Sequence, residues 1–400
     1  MAPILRLIES RDGTFDPSAP TDKFRTQWVT PSDVFTILLI LGGDVVGRAL
    51  AQLAGSGLAP VAFSFGWVAY SIRALVSAVG ENKLMPLDPD CKCKVIHGKS
   101  GYSRDNSSWI LGRIVRDFSH WRDDRVQKKL DEVLDARLAK FERFSAGTVK
   151  RDHVYWIGLP IMVLQLGIAA IPCGVFGDWG ALLITAVGIA LSLTTGLLPQ
   201  WKKEEWACRD KAKHNYILTR GNGSQHAIVI QGKGRGYNLE DLASGQSNIM
   251  VATNSFTRIT LLVLATLWIL LLITAAGLKE NTWFLLAVGG VGILQNIYVA
   301  GASRRPENFG IPLDSVEVFG NPSVMKTLLD VEAKHKHVGR ALLQEFFPGD
   351  LSEDEKRQWA ALEEGQATNQ GATNQEAARP NTEGQARTWW VEASDVPHDA

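Results

Sequence analysis

The sequence predicts an all-α polytopic membrane protein, with about six transmembrane helices in three hairpins, cytosolic helices and a small β-hairpin element. Three observations predict it. Apolar runs of about 20 residues recur along the chain, and at ~1.5 Å rise per residue each matches a hydrocarbon core ~30 Å thick. The runs come in pairs with short connectors, and Trp156, Trp179, Trp201, Trp283 and Tyr298 fall near their ends, where amphipathic rings favour the headgroup region. The long polar segments between pairs carry nearly all the nearby positive charge.

In order, residues 1–30 are a polar tail containing Gly13, Pro17 and Pro20. Residues 31–80 hold the first hairpin, two runs within Pro31 to Val79 joined at Gly55-Ser56-Gly57. Residues 81–152 are a cytosolic helical segment. In it Cys91 to His97 reads as a short strand and Gly98 to Gly101 as a turn, followed by a helix capped by Ser107 or Ser108 and running through Phe118. Trp109, Arg113 and Arg116 would suit a helix on a membrane surface, but packing against the protein's own cytosolic parts is the favoured reading of the pattern. A second amphipathic helix is expected from Val126, Leu130, Val133, Leu134, Leu138 and Phe141, which recur every three or four residues.

Residues 153–200 hold the second hairpin, with spans from Val154 to Phe176 and from Trp179 to Leu198. In residues 201–257, β-prone Tyr216 to Thr219 and His226 to Ile230 flank Arg220-Gly-Asn-Gly223, and Asn-Gly between such runs predicts a hairpin. A short helix follows at Asn238 to Ala243. Residues 258–301 hold the third and most apolar hairpin. Residues 302–364 form a cytosolic helical segment, with a helix starting near Asn321-Pro322, interrupted near Gly339, and a capping-box pattern at Ser352 and Glu355. Residues 365–400 are polar and repetitive and read as a disordered tail.

Net charge is zero, which gives no sign of a nucleic-acid partner. Mean hydropathy of −0.02 averages very apolar blocks with very polar ones. The amino terminus lacks the apolar core of a cleaved leader. Cys91, Cys93, Cys173 and Cys208 show no spacing typical of a disulfide framework. Lys and Arg number 16 between Glu81 and Asp152 and 8 between Trp201 and Thr257, against one lysine in the short connectors. Basic loops stay cytosolic, so with six spans both termini are expected there. The sequons at Asn106 and Asn222 would then remain unglycosylated.

RGNGSQHAIVI, GYSRDNSSWILGRIVRDF and VGRALLQEFFPGDLSEDE resemble segments of uncharacterised multi-pass membrane proteins of filamentous fungi, a family with no named activity. The similarity covers most of the chain apart from its two tails. It implies membrane location and fold type, and supplies no catalytic residue.

Asp44, Arg48 and Arg73 sit inside apolar sequence, where each adds roughly 2.5 to 3.5 kcal/mol of insertion cost at a span centre. Asp44 and Arg48 share a helix face. The three read either as a structural ion pair locking two helices, with Gly43 and Gly47 permitting close approach, or as an anion, substrate or proton-linked site. Gly232, Lys233, Gly234, Arg235 and Gly236 are a weaker candidate for wrapping a phosphate or an anionic lipid headgroup. A glycine-rich connector is the simpler reading. Cys91, Cys93 and His97 fall short of the four ligands and Cys-x2-Cys spacing of a structural zinc site, so no metal and no cofactor is expected. His335 and His337 read as surface residues. No catalytic motif is present.

These features favour a membrane protein with cytosolic interaction segments, the bilayer being its one assigned partner. A transporter or channel for a small anion or proton-coupled solute is the alternative, and an enzyme acting on a lipid or phosphate substrate the next.

Overall fold

The computed structural model describes residues 34–81, 83–86, 91–122, 136–143, 149–209, 212–224, 226–232, 234, 236–245, 252–278 and 280–377. The chain forms two units, Met1–Pro348 and Gly349–Ala400. The expected tail at residues 1–30 lies outside the described residues.

In chain order the first unit contains α1 (Val34–Leu53), α2 (Gly66–Gly80), β1 (Lys94–His97), β2 (Ser103–Asp105), α3 (Trp109–Arg116) and β3 (Ala136–Arg143). Then come α4 (Gly158–Phe176), α5 (Gly180–Gly196), α6 (Pro199–Glu205), β4 (Asn215–Thr219) and β5 (His226–Gln231). The unit ends with α7 (Ser255–Ala276), α8 (Thr282–Gly301), β6 (Leu313–Asn321), α9 (Val324–Lys334) and α10 (Val338–Phe346). Among the described residues, three helices are long and apolar enough to cross a membrane: His153–Phe176, Ser255–Ala276 and Thr282–Gly301. Helices α5 and α6, bent by 40° at Leu197 and Leu198, make a fourth if taken together.

Helices α1, α2, α4, α5, α7 and α8 share one apolar core. The α4–α5 and α7–α8 connections meet at one end of this bundle, where the Asn281 side-chain amide donates to Asp178 at 3.1 Å. The β-sheet lies at the other end. Asn254 caps α7 by accepting from the Thr257 amide at 2.8 Å, and Gly177, at φ +71, closes α4.

The expected tight hairpin between α1 and α2 is not what forms. The polypeptide leaves α1 at the sheet end, where Gln52 donates to the Ala302 carbonyl at 2.9 Å. It then turns back into the bundle as a non-helical run, residues 59–65, every one of which is buried. Pro60 removes a helical donor and disfavours helix at Ala59. Phe63 stacks on Trp268 at 6.0 Å, and Trp67, at the start of α2, stacks on it from 5.6 Å. Counted along α7, that places the apex ~20 Å from the sheet end. Helix α2 returns to the sheet end, its Ala78 carbonyl accepting from Thr253 at 2.9 Å. At 15 residues, or ~22 Å, it is short for a full crossing.

The fold is also not all-α. Six strands form one mixed sheet in the order β2-β1-β4-β5-β3-β6, antiparallel except for β3 beside β5. The expected β4–β5 hairpin is present, with Leu218 opposite Ile228. Its connection uses positive φ at Gly221 and Gly223, since six residues, too many for a two-residue turn, separate the strands. Residues 136–143, expected as the end of a helix, are strand β3. They pair with both β5 and β6, and that two-sided ladder overrides the local spacing. The rest of that expected helix lies outside the described residues.

Val95, Tyr216, Leu218, Ile228 and Ile230 point to the side of the sheet packed on Ile110, Leu111, Ile114 and Val115 of α3. Helices α9 and α10 pack from β1, β3 and β6. The helix expected near Asn321 breaks at residues 335–337, where His337 has φ +72. Gly339 is instead a contact point, where a Cβ would lie 2.3 Å from the Leu328 carbonyl oxygen.

In the second unit, α11 (Glu353–Ala377) begins at the expected capping box, the Ser352 amide donating to Glu355 at 2.9 Å. It runs through Gly365 to Ala377, so the first part of the expected disordered tail is helical, as a capped stretch rich in Ala, Glu and Gln allows.

Candidate functional site

Helix α3 joins the sheet to the bundle. Trp109 belongs to the bundle core, whereas Ile110, Leu111 and Ile114 belong to the sheet core. The Arg113 guanidinium lies 4.9 Å from the Trp109 ring and donates to the Ala300 carbonyl. Arg116 reaches the Gly301 carbonyl at 3.2 Å, so two cations satisfy the C-terminal end of α8. Both faces of α3 are covered by the protein, which corrects the membrane-surface reading of this helix.

Beside this joint the structure brings Asp44, Arg48 and Arg73 together. Arg48 donates to Asp44 at 3.1 Å, one helical turn away, and Arg73 donates to the other carboxylate oxygen from α2. Gly42 and Gly43 allow that approach: a Cβ on Gly42 would lie 2.5 Å from the Gly66 Cα. All three charged side chains are about half exposed, at 49–55%, so each pair contributes at most ~1 kcal/mol. They line a cleft of ≈ 270 Å³ whose other walls include Tyr70, Glu81, Met85 and Trp109. Counted from Leu53, Asp44 lies ~14 Å below the sheet end of α1.

Met85 and Trp109 also wall a second, smaller cavity of ≈ 20 Å³, reached by Glu204 and Glu205 at the end of α6. The two glutamates differ. Glu204 accepts from the Leu84 amide at 2.9 Å, the Met85 amide at 2.7 Å and the Gln200 side chain at 2.7 Å. Burial pushes its carboxyl up from the ordinary range, and those donors pull it back. Glu205 is 2% exposed, and neither carboxylate oxygen has a hydrogen-bond partner among the described residues. Burial raises it well above the usual carboxylate range, against the attraction of Arg304 and Lys202. Its head lies against Gly55, where a Cβ would be 1.9 Å from Oε2. Lys83, on the same cavity, is pushed down by burial and partly restored by Glu204 and Glu81.

Polar groups deep in the bundle hold residues 59–65. The Gln165 amide donates to the Phe63 carbonyl at 2.7 Å, and the Ala62 amide donates to Gln295 Oε1 at 3.1 Å. The Ala62 carbonyl accepts from Trp67 Nε1 at 2.9 Å and Asn296 at 3.3 Å. Sequence reading missed these residues. Gln165, Gln295 and Asn296 inside apolar runs were the available signal, as was Pro60.

Of the weaker candidate, Lys233 and Arg235 lie outside the described residues. The Gly232 amide donates to the His214 carbonyl and the Gly234 amide to the Ala212 carbonyl, both at 3.0 Å, while the Gly236 carbonyl accepts from the Ala212 amide at 2.8 Å. Cys93 is buried, His97 packs on the His214 ring at 4.9 Å, and no group of three His, Cys, Asp or Glu side chains suited to a metal occurs among the described residues. His335, expected on the surface, is 15% exposed and lies 3.6 Å from Glu317, because the break after α9 turns it onto β6. No known family, curated protein or solved structure matches this chain.

Proposed function

We propose that the chain is a multi-pass membrane protein that admits a small anion to the cleft between α1 and α2. Exposed Val163, Val175, Phe256, Ile273 and Leu294, on α4, α7 and α8, form the apolar belt that contacts lipid. Within residues 42–53 of α1, by contrast, the exposed positions are Asp44 and Arg48. Ionised groups ~14 Å deep persist only where water reaches them, and the cleft provides that access. In this arrangement α1, α4, α5, α7 and α8 cross the bilayer. Residues 55–80 are a re-entrant element in place of the sixth crossing, so α1 begins on the side opposite the sheet. The basic residues Lys150, Arg151, Lys202, Lys203, Arg258, Arg304 and Arg305, near the span ends on the sheet side, support a cytosolic sheet.

The observation that carries the reading is the cleft itself, with two guanidiniums and one carboxylate on its wall. Its ≈ 270 Å³ falls just below the about 300–1,000 Å³ of drug-sized ligand pockets, which suits a carboxylate or phosphate of few atoms. Uptake of inorganic phosphate and acetate into proteoliposomes tests it. Arg73→Gln removes a charge-assisted contact of about 1.5–3 kcal/mol, so uptake falls at least about tenfold. Uptake absent from the wild type, or unchanged in Arg73→Gln, would remove the proposal.

A further inference from the structure

The cavity beneath Trp109 has features the anion cleft does not use. It is lined by Lys83, Ser108, Trp109, Glu204 and Glu205, with Leu242 and Gly245 completing the wall. At ≈ 20 Å³ it exceeds the ~10–15 Å³ that one water needs. Two buried polar groups on its wall lack partners among the described residues, the Glu205 carboxyl and the Trp109 indole N–H. Glu204 is not such a group, since three donors already serve it. The Arg304 guanidinium is committed to Asp152 and to the Gln52 carbonyl, so its charge is already matched.

We propose that Glu205 is a proton-binding site, with one water molecule between its carboxyl group and the Trp109 indole, and that the proton exchanges with the charged cleft through the wall formed by Met85 and Trp109. An isolated carboxylate without donors is costly to bury, whereas a carboxylic acid supplies a donor of its own. The water accepts from the acid and from the indole N–H. The step is a simple transfer: hydronium gives its proton to the Glu205 carboxylate, leaving water and a neutral acid, with no oxidant or leaving group. The charged groups around Glu205 are Arg304, Lys202, Lys83 and Glu204. The site stands on its own geometry. Its coupling to the cleft rests on the anion reading, and makes the proton the species that moves with the anion.

Infrared spectroscopy of the full chain in lipid nanodiscs at neutral pH tests the site. The expected result is a carbonyl stretch of a protonated carboxyl that disappears in Glu205→Gln, persists in Glu204→Gln and shifts in Trp109→Phe. Glu205→Gln mimics a neutral acid, so it should melt no lower than the wild type. A band that survives in Glu205→Gln, or no protonated carboxyl in the wild type, overturns the proposal. Phosphate uptake separates the two readings. Loss of the band in Glu205→Gln without any wild-type uptake sinks the anion reading and leaves the proton site. Wild-type uptake with the same pH dependence in Glu205→Gln sinks the coupling.

Discussion

Gln165 on α4 donates its side-chain amide to the carbonyl of Phe63, 102 residues earlier, at 2.7 Å, and to the Val288 carbonyl at 2.9 Å. Phe63 lies in a buried run with no ladder of its own, so this contact replaces one that a helix would have supplied. Gln165→Leu should lower stability by about 1–3 kcal/mol, the cost of stranding a buried carbonyl. Thermal unfolding of the detergent-solubilised protein measures it, and an unshifted midpoint would mean that Phe63 finds another donor.

Gly292 and Gly290 make a matched pair on α8. A Cβ on Gly292 would fall 1.7 Å from the Phe63 carbonyl oxygen, while one on Gly290 meets nothing within 4 Å. Gly292→Ala is expected to abolish folded protein and Gly290→Ala to leave yield and elution unchanged. Equal behaviour of the two would remove residues 59–65 from their place in the bundle.

Arg304 holds Asp152 through two hydrogen bonds of 2.8 and 3.0 Å with its guanidinium 1% exposed, while its backbone amide donates to Asp117. Removing one member of such a pair strands the other, at about 3–5 kcal/mol. Arg304→Gln should therefore destabilise strongly, and Arg304→Lys should not restore stability because lysine lacks the planar fork. Denaturant or thermal melts of both variants check this.

Cys93 is 5% exposed, and burial pushes its thiol up to about 12. Thiolate is the reactive form, so Cys93 should resist alkylation at pH 7–9 until the protein unfolds. Cys91 and Cys208, outside the proposed spans, are less buried and should label first. Peptide mass spectrometry reads the order; early labelling of Cys93 would count against the buried chain leading into β1.

Asp241 accepts from Arg209 at 2.6 and 3.0 Å, which holds its carboxyl below the ordinary range. A carboxyl with a lowered folded value contributes stability above its unfolded pKa, about 3.9, and loses it as pH falls through the folded value. Acid unfolding of Arg209→Ala should begin at higher pH than that of the wild type. Coincident acid titrations would show that the pair contributes nothing.

The five-crossing arrangement proposed above is checked by protease protection of tagged protein in sealed vesicles, an odd number of crossings leaving one tag cut and the other shielded. Two tags cut together would restore a sixth crossing. Asn106 adds nothing to such a test, because its side chain is buried in hydrogen bonds with Ser108 at 2.9 Å, whereas Asn222 is exposed and reports the side of the β4–β5 loop.

The helices His153–Phe176, Ser255–Ala276 and Thr282–Gly301 were legible as uninterrupted apolar runs, and the β4–β5 hairpin as two β-prone runs around Asn222-Gly223. The Asp44, Arg48 and Arg73 cluster was legible from helical spacing and depth. Strand β3 was not, since the partners that fix it, at His226 and Asn321, are far away in sequence. Residues 59–65 were hidden because Ala, Val and Phe look alike in a helix and in an extended run when both are buried. Glu205 was hidden for another reason: after Trp201, a Lys-Lys-Glu-Glu sequence reads as a solvated helix end.

Gly158, Gly188, Gly196 and Gly292 each leave space for the run at 59–65, and they come from helices made later in synthesis. The run therefore has no finished seat when it leaves the ribosome. Its seat is complete only after α8 has been translated, more than 200 residues on. In the membrane arrangement proposed above, its unpaired peptide groups and Phe63 need temporary shelter until then, from the insertion machinery or from water at the membrane rim. Truncation before α8 should thus yield a product that cells degrade, however well its earlier helices insert.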